Sequence, residues 1–134
     1  MFINMSINEI AKETENKVRW DAVIDNTNFA LYIPKWRVPQ PWPKVIYVTV
    51  SDETEKIKAY QPVTPEAADA DPNLCTQKIL AGLKLVKKHS NTIRYSPTAD
   101  DPKQWEIGEP YIPYCLLPKD CKEPLLIEIN WESF

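Results

Sequence analysis

Few residues of this 134-residue chain have the types and spacing that chemistry requires. His89 is the sole histidine, and Cys75, Cys115 and Cys121 are the three cysteines. A two-histidine zinc site therefore cannot be built within one chain, and these four positions lack the short paired spacings that zinc sites use. If residues 72–88 form a continuous helix, Cys75 and His89 lie roughly 21 Å apart at 1.5 Å per residue, too far for a thiolate–imidazole pair. Cys115 or Cys121 with His89 stays geometrically open. An imidazole beside Lys87 and Lys88 reads more simply as a solvated helix end.

Carboxylates cluster at Asp52, Glu53 and Glu55, at Asp69 and Asp71, and at Asp100 and Asp101, while Glu9 and Glu13 have i,i+4 spacing. A metal-dependent hydrolase or nuclease needs such groups to converge, usually beside a lysine. Acid-x-Lys triplets occur at Glu15–Lys17, Asp101–Lys103 and Asp120–Lys122, but none follows an upstream acid on a convincing strand. Asp71 before Pro72 and Asp101 before Pro102 read as helix and turn caps. With Gly82 and Gly108 as the two glycines, neither a P-loop nor a dinucleotide fingerprint exists, because both need several glycines for close backbone approach. No cofactor and no metal site is implied.

Binding chemistry is better represented. Between the apolar runs Phe29–Ile33 and Val45–Val50 lies a connection holding Pro34, Pro39, Pro41 and Pro43 together with Lys35, Trp36, Arg37, Trp42 and Lys44. Proline-stiffened aromatics lose little entropy on association, so this connection is the expected site for a protein partner. The bland counter-reading is that Trp36 and Trp42 fold back as lids over the sheet. A second reading is nucleic-acid or phosphate-ligand binding. The windows 26–50 and 72–99 contain no acid and carry +3 and +5, from Lys35, Arg37, Lys44, Lys78, Lys84, Lys87, Lys88 and Arg94. These windows either form one basic face or cancel in space against acidic windows of the fold. A pI near 5.2 argues against a whole-domain nucleic-acid footprint.

The elements that must position these residues follow from composition and periodicity. Apolar content of 43% and charged content of 26% are globular values. The expected organisation is a single α+β domain over residues 1–134. Thirteen prolines against two glycines predict stiff, longer connections and few tight glycine hairpins. Ser6 and Glu9 have capping-box spacing and predict a short N-terminal helix over 7–17. Alternation predicts antiparallel strands over 29–33, 45–50 and 125–131, with weaker ones over 56–60 and 92–96, while 18–24 fits either a strand or a continuation of the N-terminal helix, the strand being preferred. The run 45–50, apolar on both alternating sets, is the expected sheet centre. Asp71-Pro72 and the stripe Cys75, Ile79, Leu83 and Val86 predict a long helix over 72–88 packed on one sheet face.

No run reaches the roughly 18 apolar residues of a membrane span, and the N-terminal residues have no basic leader. An odd number of cysteines suits a reducing interior. The expectation is a small, non-catalytic cytoplasmic binding or regulatory protein.

Overall fold

The computed structural model describes residues 3–8, 10–117 and 125–133. Among these, nine strands form two antiparallel sheets: β1 (Ile3–Ile7), β2 (Ile10–Glu13), β3 (Lys17–Ile24), β4 (Thr27–Pro34), β5 (Ile46–Ser51), β6 (Ile79–Lys88), β7 (Thr92–Pro97), β8 (Tyr111–Pro113) and β9 (Leu125–Asn130). The larger sheet has the order β1-β5-β9-β6-β7-β8 and the smaller one β2-β3-β4. They share one core. Val18, Trp20, Phe29, Leu31 and Ile33 of the small sheet pack with Ile46, Val48, Val50, Ile79, Leu83, Ile127 and Ile129 of the large one. The alternating burial along β3, β4 and β5 is the direct consequence of alternate side chains pointing to opposite faces.

The scarcity of glycine is handled locally. β3 and β4 pair along their whole length, from Lys17↔Pro34 to Ile24↔Thr27. The two residues between them, Asp25 and Asn26, both have positive φ, 48° and 61°. A two-residue hairpin of the type I′ kind requires this backbone, and Asp and Asn tolerate it better than other non-glycine residues.

The α+β expectation with a long helix is overturned: the fold is β-rich, and the one α-helix among the described residues, α1 (Pro65–Ala70), has six residues. Asp71 does act as a cap, its side chain accepting from the Asn73 backbone N–H at 3.2 Å, but the helix it starts is a 3-10 turn that stops at Thr76. Residues 79–88 are then β6, hydrogen-bonded between β9 and β7. The misreading has a simple cause. Ile79 and Leu83 are four apart, a spacing that places two residues on one face of a helix and equally on one face of a strand. Gly82 at the middle of the run, costing about 1 kcal/mol in a helix interior, was the opposing signal. In the strand it has a use: a Cβ there would stand 2.8 Å from Thr98 Oγ1.

The N-terminal helix is likewise replaced, by β1 and β2. Pairing of β1 along β5, from Ile3↔Val50 to Ile7↔Ile46, overrides local helix propensity. Glu9, the partner residue of the supposed capping box, lies outside the described residues. β5 is an interior strand, but the two middle strands are β9 and β6, so 45–50 is not the sheet centre. Residues 54–59 form a 3-10 stretch instead of a strand. Among the described residues no helix is long and apolar enough to cross a membrane.

Strand and helix make opposite predictions for two residues of the former stripe. Leu83 is fully buried whereas Val86 is 44% exposed. Urea unfolding of Leu83→Ala is expected to show a loss of about 2–5 kcal/mol, and Val86→Ala a change within about 0.5 kcal/mol. Similar losses for both would restore a helix in which they share one buried face.

Candidate functional site

The connection from β4 to β5 turns through a 3-10 segment, Lys35–Arg37, directly after Pro34. This turn sends Arg37 inward, where it is 0% exposed. Its Nε donates to Glu106 Oε2 at 2.6 Å, its Nη1 to the Cys75 carbonyl at 2.9 Å, and its Nη2 to the carbonyls of Gln77 at 2.7 Å and Lys78 at 3.3 Å. Tyr60 donates its hydroxyl to the same Glu106 oxygen at 2.7 Å. Four segments distant in sequence thus meet on one guanidinium: the connection, the stretch around Tyr60, the turn 75–78, and Glu106. A planar fork with several fixed donors suits this role in a way that a lysine ammonium does not.

Two tryptophans complete the anchoring. Trp20 Nε1 donates to the Pro43 carbonyl at 3.1 Å, and Trp131 Nε1 donates to the Gln77 carbonyl at 3.1 Å. Their rings lie 6.4 Å apart in a tilted arrangement. The outer rim of the connection then forms one wall of a groove of about 390 Å³, with Pro39, Pro41 and Pro43 on one side and Asn130 and Trp131 on the other.

The five residues expected to bind a partner divide into different roles. Arg37 is wholly interior and cannot reach a partner at the surface. Lys35 pairs with Glu13 at 2.8 Å and stands over the Trp42 ring at 5.5 Å. Trp36 packs against Val63, Ala68 and Cys75 in a second, small cluster, and Trp42 packs against the main core, so both act partly as lids. Trp42 Nε1 is buried without a hydrogen-bond partner among the described residues. Lys44 is exposed. Sequence reasoning missed Glu106, Tyr60, Gln77 and Trp131. The available signal was Arg37 itself, a charged residue set between Trp36 and Val38, in a window whose charge is opposed by that of residues 100–134.

The acid-free windows are largely neutralised by acids from elsewhere. Besides Lys35 with Glu13 and Arg37 with Glu106, Lys78 pairs with Glu128 at 2.9 Å and Arg94 with Glu109 at 2.7 Å. Four of the eight basic residues are thereby spent, which removes the continuous basic face; Lys44, Lys84, Lys87 and Lys88 remain exposed. Among the described residues no three His, Cys, Asp or Glu side chains are grouped to hold a metal ion. Asp71 and Asp101 serve as caps, accepting from the backbone N–H groups of Asn73 and Lys103. Burial pushes the Cys75 thiol up, opposite to the activation a nucleophile needs; Cys121 lies outside the described residues.

Burial, reinforced by the charge of Glu106, pushes the Tyr60 phenol up to about 12 from its ordinary value near 10. A raised pKa in the folded state means that its stabilising contribution is fully present below about pH 10 and is lost as the pH rises through about 12. In a 295 nm titration Tyr60 should therefore ionise near pH 12, and Tyr60→Phe should remove one ionisation step there. An unchanged titration would show that Tyr60 is not held against Glu106. Comparison with known proteins leaves this geometry as the basis for function: no family model, no curated protein and no solved structure matches the chain.

Proposed function

We propose that the chain is a non-catalytic binding protein that grips an extended polypeptide segment in the groove between Pro39, Pro41 and Pro43 and the end of β9. The observation that carries this reading is the two-sided construction of the connection. Its inner side is fastened by Arg37, and the Pro43 carbonyl by Trp20, while Gln40, Pro41 and Lys44 remain exposed. A rim already ordered in the free protein loses little entropy on association. The groove offers apolar proline faces and the partly buried Trp131 ring, a combination suited to side chains of an extended peptide. Three cysteines, an odd number, support a reducing compartment such as the cytoplasm for this role.

Truncating Trp36 or Trp42 would be a poor test, because both contribute to packing. The rim itself can be changed. Peptides selected from a displayed random library on the intact chain are expected to shift the Trp131 indole N–H resonance. They should lose at least about tenfold in affinity against a Pro39→Glu, Pro43→Glu double variant of unchanged thermal midpoint. Selected peptides that leave the Trp131 resonance in place and bind the double variant equally well would contradict the proposal.

A further inference from the structure

A second concave surface shares no residue with the proline-lined groove. Residues of the stretch from Ile57 to Thr64 line a cleft of about 310 Å³ together with β6. Leu80 to Gly82 of β6 form one side of it and Pro97 to Ala99, with Trp105, another. That volume lies at the lower end of small-molecule sites, enough for one or two fused rings.

The lining specifies what fits. Ile57, Val63, Leu80, Pro97 and the Trp105 ring supply apolar and aromatic walls. The polar end is the pair Tyr60 and Glu106, and its charge is already balanced internally because Arg37 donates to Glu106 at 2.6 Å. A charged ligand therefore finds no counter-ion to replace its lost hydration. The Tyr60 hydroxyl hydrogen is committed to Glu106, so the phenol oxygen, which also lies beside the Arg37 guanidinium, can only accept from a ligand. The Trp105 indole N–H is likewise committed, to the Ala99 carbonyl at 3.0 Å. What remains is a largely apolar slot with an aromatic wall, the Tyr60 oxygen as an acceptor, and the side chains of Thr64, Thr98 and Gln104 as further polar groups along its lining.

We infer that this cleft binds a small neutral ring compound carrying one O–H or N–H donor, of the phenol or indole kind, with its ring against Trp105 and its donor on the Tyr60 oxygen. Aromatic contact with Trp105 supplies affinity beyond burial alone. The Tyr60 acceptor orients the ligand's donor and discriminates against analogues lacking it, because the ligand's polar atom and the site's acceptor must match. This inference stands apart from the peptide groove, and either can fail alone.

The test titrates 2-naphthol into the full chain and follows the Trp105 indole N–H by two-dimensional NMR, with 2-naphthoate and naphthalene as controls. A saturable shift at Trp105 is expected, with 2-naphthoate at least about tenfold weaker. Tyr60→Phe should weaken 2-naphthol severalfold and leave naphthalene unchanged. The inference is overturned by 2-naphthol that causes no saturable Trp105 shift, by 2-naphthoate binding as tightly, or by Tyr60→Phe with undiminished affinity for 2-naphthol.

Discussion

The ion pair between Arg37 and Glu106 is the constraint around which the irregular half of this molecule is arranged. Both side chains are removed from water, at 0% and 6% exposure. Burying two charges costs several kcal/mol per ion, and only good geometry with further hydrogen bonds offsets it. Here further bonds are present: three backbone carbonyls accept from three of the four remaining guanidinium N–H groups, and the Tyr60 hydroxyl adds a second bond to the carboxylate. The same bonds satisfy carbonyls of the turn 75–78, which lie outside the strand ladders. Such a pair is weak evidence of net stability, since apolar residues of similar shape can do as well. What its geometry does show is that one guanidinium and one carboxylate tie together four segments that lie outside the strand ladders.

Both concave surfaces depend on that arrangement. The proline rim stands on the outside of the connection whose inside Arg37 holds, and the apolar cleft ends at Tyr60 and Glu106, which Arg37 neutralises. Gln77 joins the two regions, since its carbonyl accepts from both Arg37 and Trp131 and its side chain donates to the Gln61 carbonyl. Charge follows the same logic across the chain. Acid-free windows do not form one basic face, because Glu13, Glu106, Glu109 and Glu128, all from acid-bearing windows, are brought to them by the sheet topology.

Strands with clear patterning were legible in the sequence: 29–33, 45–50 and 125–131 fall within or nearly within β4, β5 and β9, while 18–24, which fitted strand and helix alike, and the weak run 92–96 lie within β3 and β7. Segments whose spacing fits both periods were not. Ile79 and Leu83 suit helix and strand equally, and the choice was made by pairing with β9 and β7, a tertiary effect invisible in a local window. Ser6 illustrates the same limit, with a cap-like local pattern inside a strand that pairs with β5. The Pro/Trp connection was recognisable as specialised, but the direction of each side chain was not. Lys35, Trp36, Arg37, Trp42 and Lys44 looked alike as binding residues, yet the 3-10 turn after Pro34 buries one of them and leaves Lys44 outside. Glu106 had no spacing relationship to Arg37 at all, being 69 residues away.

The most direct test is a double-mutant cycle on Arg37→Met and Glu106→Leu, with unfolding free energies measured in urea. Removing either partner strands a buried charge, so each single variant should lose about 3–5 kcal/mol, and the double variant should lose far less than the two losses combined. Single losses within about 0.5 kcal/mol, or losses that simply add, would contradict the account and show that something other than this pair holds the four segments together.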